Sequence, residues 1–176
     1  MSATCVVFYG LGDGATDPST GEPLLSQNIR ALGVAVPPIF DYTAQQAGVD
    51  FIEKLPKTEI IFLCAISCGA NRLPIVATAL SSRKFAGMYM IAPSIYCNAG
   101  CPDVPENAPN TWVFNGPWYL AIPPGLSSYQ PKRIAGSKQP AIVRRWSQTW
   151  HPCDSDVANV QAPIVADIKH LMGAAQ

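Results

Sequence analysis

Six short runs of apolar residues recur along the chain and constrain its fold more than any other feature. They occupy residues 5–9, 34–40, 60–66, 87–92, 111–115 and 141–146. Several runs are apolar at every position rather than at alternate positions, which is typical of parallel strands covered on both faces. The pattern therefore predicts a buried, mostly parallel sheet.

Amphipathic stretches separate these runs. Apolar residues recur at helical spacing within 24–32, 44–55 and 164–172, and Pro163 stands where a first-turn proline is tolerated. Strands that alternate with helices predict the α/β class, here a doubly wound, mostly parallel sheet of about six strands flanked by helices. The 176 residues suit a single domain over 1–176.

Two adjacent prolines, Pro37 and Pro38, indicate the order of the strands. They remove two donors from the backbone ladder, so the run 34–40 should be an edge strand. In the order 2-1-3-4-5 the second strand is at the edge, and ligands bind at the switch point between strands 1 and 3. The loops 10–14 and 67–69 flank that point, so we expect the functional site between them.

Ser67 follows the third run directly, in the sequence Ala65-Ile66-Ser67-Cys68-Gly69. A nucleophile on a sharp strand-to-helix turn needs small residues two positions before and after it, because neighbouring backbones come close. Ala65 and Gly69 meet that requirement. The motif resembles the nucleophile elbow of the α/β-hydrolase family, with alanine at its first position. The element order is also similar to that family from its third strand onward.

The resemblance implies a small serine hydrolase without a cap domain, because no insertion is long enough to form one. It places the backbone amide of Cys68 in the oxyanion hole. The stretch from Tyr9 to Gly12 is similar to the family's His-Gly-x loop, which implies a second donor at Leu11 or, alternatively, Gly12. Gly10 and Gly12 would then contact substrate. A phosphate-binding glycine turn is the alternative, but these glycines lack the dinucleotide spacing.

The same resemblance implies a histidine base in the loop before the last helix, where His151 stands. His170 lies within that helix and is expected on the surface or in the core. The acid is harder to assign, because residues 116–140 contain neither Asp nor Glu. We predict Asp103, with a Ser–His dyad oriented by Asn115 or a backbone carbonyl as the alternative. Other acidic residues are Glu106 in the same loop and Asp154 and Asp156, which are expected to begin the last helix.

The predicted reaction is ester hydrolysis through an acyl-enzyme on Ser67. The loops 93–110 and 116–140 should shape an apolar acyl or aryl pocket in which Tyr96, Trp118 and Tyr119 contact a small ester. A thioesterase or a peptidase would use the same motif. A hydrolase-like protein that only binds a partner is the alternative from another class. The missing acid favours it, as does Pro74, which should kink or shorten the helix behind Ser67.

Composition excludes some partners. Twelve basic and twelve acidic residues cancel, and no basic stripe indicates a nucleic acid. No apolar run reaches the ~20 residues of a membrane span, and the N-terminal sequence lacks a signal-peptide pattern. These features predict a cytoplasmic location. They leave the oligomeric state open.

The six cysteines are expected to be reduced in the cytoplasm. Cys97, Cys101 and Cys153 fit no common zinc spacing, so neither a metal nor a cofactor is predicted. Cys68 is a competing nucleophile, since a helix N-terminus activates a thiolate. The elbow geometry, however, should turn residue 68 toward the helix and residue 67 outward.

Overall fold

The computed structural model describes residues 2–10, 24–93, 103–115, 142–145 and 157–174. Within these residues, six strands form one sheet in the order β2-β1-β3-β4-β5-β6, and every neighbouring pair is parallel. The strands are β1 Ala3–Tyr9, β2 Phe40–Asp41, β3 Ile60–Ile66, β4 Gly87–Ile91, β5 Thr111–Asn115 and β6 Ile142–Arg145. The predicted order and the position of the switch point between β1 and β3 are confirmed.

Helices cover both faces of this sheet. They are α1 Leu24–Arg30, α2 Gln45–Lys54, α3 Leu73–Ala79 and α4 Ala162–Ala174. A 3₁₀ turn, Ala70–Arg72, precedes α3, and a wider π-type turn, Val157–Gln161, precedes α4. The apolar residues of α1 and α4 pack on one face, and those of α2 and α3 pack on the other. Residues of β1, β3 and β4 alternate between the two cores, which explains why these strands are apolar at nearly every position.

The second predicted strand is shorter than the apolar run 34–40. Ala35 exchanges two backbone hydrogen bonds with β1, at 2.8 and 2.9 Å, and only Phe40–Asp41 pairs with β1 as a strand. Pro37 and Pro38 lie between these contacts and have no N–H to donate. The edge position was therefore predicted correctly, whereas the length was wrong because the prolines interrupt the ladder.

Two side chains bind helix ends at the amino edge of the sheet, where the strands begin. The buried guanidinium of Arg83 donates to four carbonyls at the end of α2, at 2.5–3.0 Å. The side-chain amide of Asn107 donates to the carbonyls of Ala77 and Leu80 at the end of α3 and to that of Arg83 in the turn that follows, at 2.8–3.0 Å. Carbonyls in the last turn of a helix have no partner within it, so these contacts fix both helices to the sheet.

A polar contact fastens α4 to β4. The Tyr89 hydroxyl and the Asn110 amide both donate to Oδ2 of Asp167, at 2.7 and 2.8 Å. Burial and the nearby carboxylate of Asp167 raise the pKa of Tyr89 above its ordinary value. On the same face, burial raises the pKa of the Cys5 thiol to about 12. Both groups are therefore neutral at physiological pH. Within the described residues, each helix is too short or too polar to cross a bilayer.

Candidate active site

The backbone turns sharply at Ser67, the first residue after β3. Its φ is 55°, in the left-handed region that residues other than glycine rarely adopt. The Ser67 N–H donates to the Ile91 carbonyl at 2.9 Å, and its own carbonyl accepts from the Ala70 N–H at 3.0 Å. Strand thus passes into helical turn within three residues of the chain. The geometry matches the strand-to-helix turn that the sequence motif predicts.

Gly69 is required at this turn because another strand comes close. A Cβ at residue 69 would lie 2.7 Å from the Phe8 carbonyl oxygen and 3.0 Å from that of Ile66. Both atoms belong to backbone, which cannot move aside as a flexible side chain does. Ala65 is also confined, since it is 1% exposed and pairs with Phe8 on one side and Met90 on the other. Small residues are therefore needed on both sides of Ser67 because the neighbouring backbone leaves no room for larger ones.

Strand register aligns Ser67 with its neighbours at the carboxyl edge of the sheet. Ile66 pairs with Ile91, and Ile91 pairs with Phe114. The next residues along these three strands are therefore Ser67, Ala92 and Asn115, which form one row with strands ~4.8 Å apart. On the other side of β3, Phe8 pairs with Ala65, so the same register brings Gly10 level with Ser67.

As far as the end of β4 is described, through Pro93, it offers no backbone donor to a bound oxyanion. The Ala92 N–H already donates to the Phe114 carbonyl at 2.8 Å. Pro93, which follows and is buried, has no N–H. Donors for an oxyanion at Ser67 are thus to be sought within the turn itself and on the β1 side. The amides of Cys68 and Leu11 stay the predicted donors.

Cys68 is disulfide-bonded. Its partner lies outside the described residues, because Cys5 and Cys64, the other described cysteines, are buried and are not disulfide-bonded. The expectation that all six cysteines are reduced is therefore wrong for Cys68. Since its sulfur is already bonded, Cys68 has no thiolate with which to compete as the nucleophile. Sequence reasoning missed this bond, because cysteine spacing alone does not give the pairing.

The helix behind Ser67 accommodates Pro74. Residues 70–72 form the 3₁₀ turn, and α3 then begins at Leu73 with Pro74 in its first turn. A first-turn N–H has no partner within the helix, so a proline there costs no helical hydrogen bond. The prediction that Pro74 shortens the helix is confirmed, since the α-helical part has only seven residues.

The predicted partner of Asp103 is His151, which lies outside the described residues, so their contact stays a prediction. Asp103 is exposed, and the next residue, Val104, packs in the core beneath α3. Four residues on, Asn107 binds the far end of α3, so this segment runs toward the amino edge of the sheet. His170 is exposed on α4, as expected for a surface residue.

Of the other predicted site residues, Gly10 is buried at the end of β1. The rest lie outside the described residues: Leu11, Gly12, Tyr96, Trp118, Tyr119 and His151. Cys97, Cys101 and Cys153 lie outside them as well. Asn115 is the last residue of β5 and directly follows Phe114, which pairs with Ile91. The described part of the site therefore consists of the ends of β1, β3 and β4 and the turn at Ser67.

No family model matches the chain, and no curated protein does. Among solved structures, it is similar to the crystal structure of XC6422 from Xanthomonas campestris, described as an α/β serine hydrolase without a lid. The two chains are 15% identical, the match covers 98% of this chain and 81% of that one, and the TM-score is 0.53. The likeness shows that the chain has an α/β-hydrolase fold, as its element order predicts. At this identity it shows the fold and leaves the activity open.

Proposed function

We propose that the chain is a serine hydrolase that cleaves carboxylic esters, with Ser67 as the nucleophile and His151 as the general base. The observation that carries the proposal is the left-handed backbone of Ser67, with φ 55°, at the carboxyl end of a central strand. Strained backbone of this kind costs about 1–3 kcal/mol and clusters at functional sites. A serine hydroxyl presented on such a turn suits nucleophilic attack.

In the proposed reaction, the Ser67 oxygen attacks the ester carbonyl while His151 takes the hydroxyl proton. We expect the two reacting atoms of these side chains to lie ~2.6–3.2 Å apart. The amides of Cys68 and Leu11 donate to the oxyanion. His151 then gives the proton to the leaving alcohol as the ester C–O bond breaks, and the acyl group stays on Ser67. Water, deprotonated by His151, releases the acid and restores the serine.

Two residues are candidates for orienting the imidazole. Asp103 remains our proposal for a charged partner, and its exposure in the described structure is the argument against it. Asn115 is the alternative, because it ends the strand two positions along the sheet from β3. If the Asp103 carboxylate stabilises the imidazolium, Asp103→Asn should lower kcat by up to about 10⁴-fold. If Asn115 orients the ring instead, Asn115→Asp should raise kcat and Asp103→Asn should leave it unchanged.

A small-molecule ester is the substrate we favour, bound in an apolar pocket to which Gly10, Gly12, Tyr96, Trp118 and Tyr119 contribute. Thioesters and amides would react through the same steps. A panel of p-nitrophenyl esters of increasing acyl length, run against matched thioesters and anilides, separates the three substrate classes by kcat/KM. We expect the esters to give the highest values.

A non-catalytic, hydrolase-like binding protein is the second candidate, and the exposure of Asp103 favours it. A fluorophosphonate reagent decides between the two, because it modifies only an activated serine. We expect one adduct per folded chain, located on Ser67 by mass spectrometry and absent from Ser67→Ala. The matched control is Ser81→Ala, which removes an exposed serine outside the site and should label fully. Absence of an adduct on the folded wild-type chain would support the binding protein.

The disulfide at Cys68 bears on location. Such bonds persist in oxidising compartments and are rare in the cytoplasm. We therefore favour an oxidising compartment over the cytoplasm predicted from the sequence. Thiol titration of the denatured, non-reduced protein should find no more than four reactive thiols among the six cysteines. Six reactive thiols in protein purified from its native source would restore the cytoplasmic prediction.

A further inference from the structure

Ala92 shares an uncommon backbone conformation with its neighbour Ser67. Its φ is 44°, and Ser67 and Ala92 are the two non-glycine residues with positive φ in the described part of the chain. Ala92 also precedes Pro93, a position at which helical conformations are further disfavoured. It is completely buried. An alanine held this way beside the nucleophile calls for a physical reason.

The left-handed turn at Ala92 breaks the alternation of β4. Met88 and Met90 pack in the core under α2 and α3, whereas Tyr89 and Ile91 pack in the core under α1 and α4. Regular alternation would send the next side chain back toward α2 and α3. The Ala92 methyl group instead packs in the same core as the Ile91 side chain, under α1 and α4.

One peptide group connects the two strained residues. The peptide between Ile91 and Ala92 accepts the Ser67 N–H on its oxygen at 2.9 Å. Its own N–H donates to the Phe114 carbonyl at 2.8 Å. This peptide group is thus the last one of β4 that hydrogen-bonds to the segments on both sides. The backbone is left-handed at Ser67, after β3, and at Ala92, after β4.

We propose that Ala92 is a positioning residue for the nucleophile, an inference that rests on the proposed function of Ser67. Because the chain turns left-handed only at Ala92, the Ile91–Ala92 peptide group can keep the orientation of a strand. It therefore makes its hydrogen bonds to Ser67 and Phe114 as in a regular sheet. That orientation holds the Ser67 amide, and with it the strained turn that presents the hydroxyl. If residue 92 cannot adopt a positive φ, this peptide group must rotate. The hydrogen bond from the Ser67 N–H to the Ile91 carbonyl then breaks, and the backbone of Ser67 relaxes from its strained conformation.

Substitutions at residue 92 separate this role from simple packing. Ala92→Val adds a β-branched side chain, which strongly disfavours positive φ, whereas Ala92→Gly permits it freely. The matched control is Ala77→Val, which adds the same atoms to a completely buried alanine within α3. For each variant, kcat, KM, the rate of fluorophosphonate reaction, the thermal midpoint and hydrogen exchange of the Ser67 amide are measured.

We expect Ala92→Val to lower kcat and the fluorophosphonate rate at least about tenfold with KM within about twofold, since a small misplacement of a reacting atom is costly. The Ser67 amide should exchange faster in this variant. Ala92→Gly should stay within about threefold of wild type. Ala77→Val should lower the thermal midpoint and leave kcat unchanged.

A wild-type kcat in Ala92→Val overturns the inference, as does a loss of kcat no greater than that of Ala77→Val. If Ala92→Val does not fold, Ala92→Ser, which is small and unbranched, should give a rate between those of wild type and background. A Ser67 that does not react even in the wild type refutes the proposed function alone. The exchange of its amide still tests the coupling to Ala92.

Discussion

The carboxyl edge of the sheet holds the two strained residues, Ser67 and Ala92, whereas the amino edge holds the two side chains that bind helix ends, Arg83 and Asn107. Strain costs about 1–3 kcal/mol per residue. Each hydrogen bond of a capping side chain contributes about 0.5–1.5 kcal/mol. The comparison indicates that function and stability are concentrated at opposite ends of the same strands. Variants at the carboxyl edge should therefore change activity, whether or not they change stability. Variants at the amino edge should lower the free energy of unfolding and leave activity nearly unchanged.

The largest effect is expected at the nucleophile. Ser67→Gly removes the hydroxyl and also relieves the positive φ, so kcat for a p-nitrophenyl ester should fall at least about 10³-fold. The free energy of unfolding, measured in urea, should not fall, because relief of about 1–3 kcal/mol of strain offsets the entropic cost of glycine, about 0.5–1 kcal/mol. If Ser67→Gly itself loses stability together with activity, the assignment of strain to Ser67 is wrong.

A second change at the same edge tests the contact with β1. Gly69→Ala places a Cβ 2.7 Å from the Phe8 carbonyl oxygen. The backbones must move apart, so we expect kcat to fall by about 10²-fold and stability by about 1–3 kcal/mol. The control is Gly173→Ala in α4, where a Cβ meets nothing within 4 Å. Gly173→Ala should keep full activity. If Gly69→Ala has the same kcat and stability as Gly173→Ala, contact with the Phe8 carbonyl is not the reason for glycine at residue 69.

At the amino edge we expect the reverse. Asn107→Ala removes the amide that binds two carbonyls at the end of α3 and one in the turn after it, and the free energy of unfolding should fall by about 1–3 kcal/mol. The kcat of the folded protein should stay within about twofold of wild type. Lys84→Met, at an exposed neighbouring position, should change stability by less than about 0.5 kcal/mol. A tenfold loss of kcat in Asn107→Ala would mean that the two edges are coupled.

The smallest effect on activity near neutral pH is expected from the core between the edges, where it is the stability at alkaline pH that should change. The Cys5 thiol has its pKa raised by burial from 9.0 to about 12. Between these values the unfolded chain loses the proton and the folded chain keeps it. Stability is therefore full below pH 9 and falls as pH rises toward 12, by at most about 1.4 kcal/mol per pH unit.

The free energy of unfolding measured between pH 8 and pH 11 checks this slope. The raised pKa of Tyr89 adds a loss of the same sign at the alkaline end. Cys5→Ala should make the dependence shallower. An unchanged slope in that variant would show that Cys5 does not contribute to it.

The strands and the turn at Ser67 were predictable because their causes are local in sequence. A strand covered on both faces must be apolar throughout, and a turn pressed against β1 must have glycine at residue 69. The prolines at 37 and 38 correctly marked the edge. How far they shorten β2 was not predicted, since pairing depends on which N–H groups the neighbouring strand needs.

The rest of the site depends on contacts between distant residues. Alanine has no propensity that announces a positive φ, so the turn at Ala92 follows only from the ladder around it. The disulfide at Cys68 depends on which cysteine the fold brings near, and spacing does not give that. Asp103 was chosen by its place in the chain order. The order does not reveal that the residues after it turn toward the far end of α3.

The interior position of β1, between β2 and β3, also has a consequence for how the protein folds. This strand pairs with β3, so that Ala3 meets Ile60, and all seven of its residues are buried. Pairing between residues so far apart in sequence slows folding, because a long loop must close first. Until then, an apolar segment with two unpaired edges is prone to aggregate. Refolding yield should accordingly depend steeply on protein concentration, with dilute conditions favouring the native state.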